Sequence, residues 1–337
     1  MLETYLEKLR KKENLTLEDA SEAMRAIMSG GVDHVQLEEY LVLLAEKGET
    51  DDEIAGSAKM MREHAIRIAP DRAPLLDVCG TGGDQSNTFN ISTTVAFVAA
   101  GAGVAVAKHG NRSVSSNSGS ACVLTALGVK IDLEPVQVQQ SIEEVGIGFL
   151  YAPNFHPAMR HAAPVRQKLK QRTIFNVLGP LTNPAGAKHQ LVGVFNQELV
   201  TTLAHVLRKM DHTHAIIVHG YGLDELTTTG DENTAFELKD GEVSYLKVDP
   251  AELGIPLAQR DELLGKDAEY NAMITRAILN GETGAPRNVV VLNAAAALLA
   301  ADKAKDLSEG IKIAEESIDS GAAKQKLADM IKFSEKA

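Results

Sequence analysis

The stretch LLDVCGTGGDQSNTFNISTT, residues 75–94, decides how the rest of the chain is read. Leu75-Leu76-Asp77-Val78-Cys79 has the length and flanks of a buried strand. It runs straight into Gly80-Thr81-Gly82-Gly83-Asp84, then a polar loop, then Asn90-Ile91-Ser92-Thr93. An Ala/Val-rich segment follows and reads as a helix from about Thr94. Strand, glycine turn and helix start in that order build an anion site. Glycines let backbone N–H groups approach closely, and the helix end adds unpaired donors and the positive end of a dipole. The turn is neither of the commonest phosphate loops: Gln85 stands where a dinucleotide fingerprint needs its last Gly, and no Gly-Lys-Ser/Thr completes a Walker loop. A plain tight turn is the competing reading. Asp84, Asn90, Ser92 and Thr93 at the same mouth weigh against it.

Upstream of this stretch, residues 1 to about 70 read as helices only. Thr16 with Asp19, Asp33 with Gln36, and Thr50 with Glu53 look like successive capping-box starts, and Gly30-Gly31 and Gly48 fit the stops. Leu37, Tyr40, Leu41 and Leu44 recur at helical spacing. The exposed faces of this subdomain suit either a dimer interface or an ordinary solvated surface.

Downstream, strands and helices alternate, the signature of a mostly parallel sheet. Strands are expected at Val104–Ala107, Phe149–Tyr151, Gln190–Phe195 and His214–His219, with a hairpin around Asp240-Gly241. Helices are expected near 120–127, 135–145, 156–170, 199–210, 269–280, 287–301 and from Ser308 onward, while residues 178–184 break regular structure.

The composition bounds the function. A chain of 337 residues has room for two subdomains, and 44% hydrophobic with 24% charged residues is ordinary for a soluble globular protein. A net charge of −12 opposes nonspecific nucleic-acid binding, since a phosphate backbone would be repelled. Cys79 and Cys122 have no CxxC spacing and read as buried free thiols. The amphipathic charged start lacks the apolar core of a signal peptide, and the longest apolar runs are too short to span a bilayer, so a cytoplasmic protein is expected.

Ligands of open α/β sheets bind beyond the carboxyl ends of strands. Three polar loops, 80–93, 108–120 and 220–229, follow three strand candidates and would converge if those strands are parallel. The first offers backbone donors and hydroxyls, the second Lys108, His109, Asn111, Arg112 and a serine cluster, the third Asp224-Glu225. Together they describe a phosphate cradle facing a hard-cation site, because magnesium takes carboxylate oxygens together with substrate phosphates. Taken singly, Asp224-Glu225 is better read as a solvated loop pair, and Lys108 and Arg112 as surface charge. His212 and His214 lack a third ligand for a zinc site, and nothing in the spacing supports a Ser-His-Asp arrangement.

GTGGD at 80–84, NIST at 90–93, KHGNRSVSSNSGSACVLTALGV at 108–129, LGPLTNPA at 178–185 and the DE pair at 224–225 occur in one chain and in this order. In this combination the chain resembles the anthranilate phosphoribosyltransferases of tryptophan biosynthesis, over essentially its whole length. The resemblance implies the nucleoside phosphorylase-like phosphoribosyltransferase fold, an α/β class. A small all-helical domain (1–70, joined by helices near 165–185) would sit beside a large α/β domain (71–164 and 186–337) with a central, mostly parallel sheet. It further implies that Gly80, Gly83, Asp84, Thr88, Asn90, Ile91, Ser92, Thr93, Lys108, Ser116 and Ser120 hold phosphoribosyl pyrophosphate. Gly80, His109, Asn111, Arg166 and Gly179 would hold anthranilate. Ser92, Asp224 and Glu225 would bind Mg2+, two ions per subunit.

Arg166 also makes chemical sense, because a guanidinium grips a carboxylate with two hydrogen bonds. The implied reaction needs no protein nucleophile: the amine attacks the ribose anomeric carbon and pyrophosphate leaves, with Lys108 and magnesium stabilising the departing charge. No general base is assigned. The resemblance also implies a homodimer through the helical domain, and an association with anthranilate synthase is open. Two other readings stand beside it, a pyrimidine nucleoside phosphorylase and a non-catalytic nucleic-acid-binding paralogue. The loop 108–116 is unlike the first, and the net charge opposes the second.

Overall fold

Capping chemistry sets the first helices. In the computed structural model, which describes residues 2–84, 86–112, 118–230 and 233–337, the chain begins with α1 (Glu3–Arg10), α2 (Leu17–Met28), α3 (His34–Lys47) and α4 (Asp51–Glu63). Thr16 and Thr50 open α2 and α4 through reciprocal capping boxes with Asp19 and Glu53. Asp33 caps α3 through the amides of Val35 and Gln36 at 3.0 Å. Each such cap contributes about 1 kcal/mol. Glu53 then serves twice: although fully buried, it pairs with Lys47 at 2.9 Å and accepts from the Leu15 amide at 2.8 Å. A buried carboxylate with both oxygens bonded is tolerated inside a core.

The α/β part follows as β1 (Leu75–Gly80), α5 (Ile91–Gly101), β2 (Ala105–Gly110), α6 (Ser120–Ala126), α7 (Pro135–Glu144), β3 (Ile147–Tyr151), α8 (Ala152–Phe155), α9 (Ala163–Leu169), α10 (Phe175–Leu178) and β4 (His189–Gly193). Then come α11 (Glu198–Lys209), β5 (His214–Gly220), β6 (Asn233–Lys239), β7 (Glu242–Tyr245), α12 (Ala268–Leu279), α13 (Ala285–Ala300), α14 (Leu307–Asp319) and α15 (Ala322–Lys336). The seven strands form one sheet in the order β3-β2-β1-β4-β5-β6-β7. β1 to β5 are parallel, and β6 and β7 add an antiparallel hairpin at one edge. Asp240 and Gly241, both at positive φ, make its two-residue turn.

Alternation along the strands divides the core between the two sheet faces. Leu76, Val78, Val106, Leu191 and Ile216 pack with α5 and α13 on one side. Cys79, Val192, Val194, Ala215 and Ile217 pack on the other with α11 and the apolar faces of α1 to α4. Val165 of α9 and Phe175 and Leu178 of α10 join that second cluster, so the chain returns to the helical side long after leaving it. A helical subdomain beside a mostly parallel sheet is the architecture the sequence predicts.

Three local readings change. The helix after the glycine loop starts at Ile91, so Ser92 and Thr93 lie in its first turn. Lys108 and His109 lie within β2, just before its last residue Gly110, rather than in a loop. The expected helix over 156–170 is broken into a 3-10 turn, Pro157–His161, and α9. Pro157 and Pro164 each sit in the first turn of a piece, where a missing amide is tolerated, and each prevents continuation from the piece before. Cys79 and Cys122 are both free, Cys79 buried and Cys122 half-buried. Among the described residues no helix is long and apolar enough to cross a membrane.

Candidate active site

The three loops meet. β1, β2 and β5 run parallel, so their carboxyl ends face one way. The amide of Gly82 donates to Asp224 Oδ2 at 2.7 Å, the amide of Ser92 to Glu225 Oε1 at 3.1 Å, and the amide of Asp224 to Asp84 Oδ2 at 3.3 Å. Lys108 Nζ lies 3.4 Å from Ser92 Oγ, and Asn90 Nδ2 donates to the Ser118 carbonyl at 3.0 Å, which ties in the second loop. Gly80 admits this closeness because a Cβ there would collide with the Asp224 carboxylate. Gly82 and Gly83 supply positive φ for the turn.

Three carboxylates crowd here with one buried ammonium nearby. Burial, then Asp84, pushes the Asp224 carboxyl up to about 7. Glu225 is pushed up well above the usual range by burial and then by Asp224. Burial lowers Lys108, partly offset by Asp77. Acids that resist ionising beside one another call for a cation, and an all-oxygen set suits a hard divalent ion. The residues present therefore fit magnesium.

The remaining sites fall around this centre. Asp84 Oδ1 accepts from the Ser86 amide at 3.2 Å, and Thr88 Oγ1 meets Ser86 Oγ at 3.2 Å. Asn90 precedes α5, its Oδ1 accepting from Asn271 at 3.0 Å. Ile91 is core, and among the described residues the buried Thr93 hydroxyl has no hydrogen-bond partner. Ser120 opens α6 and bonds the Asn111 carbonyl at 3.2 Å, while Asn111 Oδ1 accepts from the Arg112 amide at 2.7 Å. Ser116 lies outside the described residues.

On the opposite sheet face His109 Nδ1 is 3.2 Å from the Gly179 carbonyl, and its ring sits 5.1 Å from that of His156. Burial lowers both imidazoles, to about 3 and about 4, so both are neutral at physiological pH. Arg166 lies over the Phe175 ring at 5.0 Å, one short helix before Gly179, and burial lowers its guanidinium. Among the described residues it has no ion-pair partner. A desolvated guanidinium without a carboxylate is a receptor for one.

Sequence reasoning missed several participants. Arg172 donates to the Gly83 carbonyl and stacks over Phe195 at 3.6 Å, pinning the glycine turn from the chain between α9 and α10. Asp77, Gln190 and Asn183 are buried polar groups beneath the site. Only Asp77 carried a signal, a charge inside an apolar strand. His214 does find companions, at the other end of the sheet: its nitrogens lie 2.9 Å from Asp302 and 2.7 Å from Glu237, with His189 beside them. Lys239 Nζ also contacts Asp302 at 3.0 Å, so this cluster is paired within itself.

Comparison with known proteins shows the family and the fold. The model of the glycosyl transferase family helical bundle domain matches residues 3–65, and that of the family's a/b domain matches residues 72–324. The chain is 51% identical to the anthranilate phosphoribosyltransferase of Anaeromyxobacter sp. (strain K), over 98% of either chain. It is likewise 51% identical to that of Acetivibrio thermocellus, over 99% of this chain and 96% of the relative. The crystal structure of the Thermus thermophilus enzyme superposes with a TM-score of 0.93 at 45% identity, covering 98% of this chain and 99% of that one. The Saccharomyces cerevisiae enzyme in complex with PRPP and Mg gives 0.89 at 27% identity, covering 100% and 98%.

Proposed function

This chain belongs to the anthranilate phosphoribosyltransferases of the glycosyl transferase family, and on that premise we propose that it transfers the phosphoribosyl group of phosphoribosyl pyrophosphate to the amine of anthranilate. The observation that carries the reading is the meeting of loops: amides of the glycine turn and of α5 lie against Asp224 and Glu225, with Lys108 alongside.

Asp224, Glu225 and Ser92, with Asp84 near, would hold Mg2+, two ions per subunit. A cation held there would supply charge neutralisation for the pyrophosphate leaving group. The amides of Gly82 and Ser92, which here donate to Asp224 and Glu225, would be the backbone donors available to phosphate oxygens. Gly80, Gly83, Asp84, Thr88, Asn90, Ile91, Thr93, Ser116 and Ser120 complete the donor site, and Lys108 faces the same charge. Arg166 takes the anthranilate carboxylate, with Gly80, Asn111, His109 and Gly179 around the ring.

The amine nitrogen then forms a bond to the anomeric carbon while the carbon–oxygen bond to pyrophosphate breaks with its electron pair going to the pyrophosphate oxygen, and the nitrogen gives up its proton to solvent. An aromatic amine is nucleophilic when neutral, so juxtaposition and charge stabilisation supply the rate. His109, kept neutral, packs against the acceptor without adding charge.

The units 1–70 with the helices near 165–185, and 71–164 with 186–337, would act as two domains around this cleft. A homodimer through the helical unit, a cytoplasmic location and contact with anthranilate synthase complete the proposal. Anthranilate fluorescence is expected to fall when phosphoribosyl pyrophosphate and Mg2+ are added to the purified protein. No loss of signal, or phosphorolysis of uridine or thymidine instead, overturns the reading.

A further inference from the structure

β1 and β2 begin as ladder partners, Leu75 with Ala105 and Leu76 with Val106, and there their pairing stops. Each strand continues on its other side, β1 with β4 as far as Gly80 and β2 with β3 as far as Gly110. The sheet is therefore split near its middle, at the end that carries the site. Continued by two residues, the register would set Val78 opposite Lys108, and the His109 amide would donate to the Val78 carbonyl. Side chains satisfy both groups instead. Lys108 Nζ donates to the Val78 carbonyl at 2.5 Å, and Asp77 Oδ1 accepts the His109 amide at 3.1 Å.

The two staples lie on opposite faces, as alternation requires. Asp77, with no exposed surface, belongs to the face that carries His109 and Cys79. Its Oδ2 accepts from Gln190 Nε2 on β4 at 3.3 Å. The same Nε2 donates to the Pro180 carbonyl at 2.9 Å, and the neighbouring Gly179 carbonyl meets His109 Nδ1 at 3.2 Å. The bonds close into a ring running Asp77, His109, the 179–180 turn, Gln190 and back to Asp77. Among the described residues Asp77 makes no ion pair with a cation; Lys108 directs its ammonium to Val78 and Ser92. A buried carboxylate without a touching counter-ion is costly to keep for stability alone. Here it sets the spacing between two walls of the acceptor side.

We propose that Asp77 is a positioning residue for the acceptor amine: through His109 and the Gly179-Pro180 turn it fixes the width of the slot that takes the aromatic ring. This rests on the transfer reaction proposed above, and the test separates the two. The wild-type protein is assayed first with both substrates; absence of turnover there defeats the reaction, whereas the variants bear on Asp77 only once turnover is seen.

In Asp77→Asn the amide oxygen still accepts from His109, but its NH2 faces the NH2 of Gln190. Gln190 must flip to relieve this, presenting an Oε1 that is buried without a partner in the wild type, and so loses Pro180. The β1–β2 staple is kept and the tie to the turn is cut. The expected result is a rise in KM for anthranilate of roughly tenfold, the effect of one lost buried hydrogen bond. The KM for phosphoribosyl pyrophosphate and kcat should stay within about threefold. Asp77→Ala cuts both ties and should also lower kcat, by roughly a hundredfold if His109 shifts by an ångström. If Asp77→Ala does not fold, Asp77→Asn decides alone. An unchanged KM for anthranilate in Asp77→Asn, or equal losses in both substrates' KM values, overturns the proposal.

Discussion

Replacing Gly220 by Ala offers a probe of the acid loop that adds no charge and removes none. Gly220 ends β5, and its φ is not in the left-handed region, so Ala meets no backbone objection. The obstacle is space. A Cβ at 220 would stand 2.5 Å from the Glu225 carbonyl oxygen and 2.7 Å from the Thr227 amide nitrogen, where ordinary contact starts at 3.4 Å. The backbone at Glu225 must therefore retreat by roughly 0.9 Å, the gap between 2.5 Å and the 3.4 Å of ordinary contact. Neighbouring Asn233 gives little room, since it holds the Thr227 amide at 2.8 Å and the Thr227 carbonyl at 2.9 Å. Overpacking of this kind costs about 1–3 kcal/mol of stability. The larger expected effect is on turnover. A shift near 1 Å in the acids facing Ser92 should lower kcat/KM by roughly a hundredfold, about 2.7 kcal/mol of barrier. Progress curves of anthranilate fluorescence at several Mg2+ concentrations read the loss, and a thermal melt shows that the fold survives. Activity within threefold of wild type, with an unchanged melt, would refute the claim that the acid loop is sterically locked against β5.

Four further outcomes follow from the same geometry. Asp224→Asn combined with Glu225→Gln should abolish most Mg2+-dependent turnover; full activity in a metal titration would remove these acids from the metal site. The Asp224 carboxyl, raised in the fold to about 7, makes the ligand-free protein less stable as pH rises from about 4 through 7. The drop should be on the order of 1–3 kcal/mol, smaller in Asp224→Asn, and chemical denaturation at pH 5 and pH 8 measures it. For the same reason the apparent affinity for Mg2+ should fall about tenfold between pH 8 and pH 6, as protons compete for Asp224; calorimetric titration at the two pH values showing equal affinity would contradict it. Arg166→Ala should weaken anthranilate use by roughly 2–5 kcal/mol, seen as a raised KM for anthranilate, and an unchanged KM would dismiss the carboxylate clamp.

Strand β1, the glycine turn and α5 were legible in the sequence because each rests on neighbours in the chain: an apolar run, positive-φ glycines, a polar helix start. The convergence of Asp224-Glu225 on that turn was legible only once three strands were taken as parallel. Lys108 and His109 were read as loop because a polar pair ending a strand looks like a strand already over. They point to opposite faces of a sheet that parts at that level, and no window along one strand reports its separation from a neighbour. Asp77 was read only as part of an apolar strand, since its partners His109 and Gln190 lie 32 and 113 residues away. Arg172 and the grouping of His189, His214 and Asp302 depend on register and helix ends, which hydrophobic periodicity does not encode.

Behind the glycine turn, Ala96, Ala99 and Ala100 of α5 belong to the same buried cluster as Ala294 to Ala297 of α13. Methyl groups on both sides bring two helices close and leave nothing to trim. Such a foundation tolerates neither enlargement nor loosening, so it transmits no adjustment to the donor pocket. Redesign toward bulkier aromatic amines therefore belongs to the other bank, where Arg166, Phe175 and Gly179 hang on short helical pieces separated by proline and a left-handed Lys170. The fold has divided the labour: a close-packed floor behind the glycine turn, and a segmented wall on which, under the proposed reaction, acceptor choice would drift.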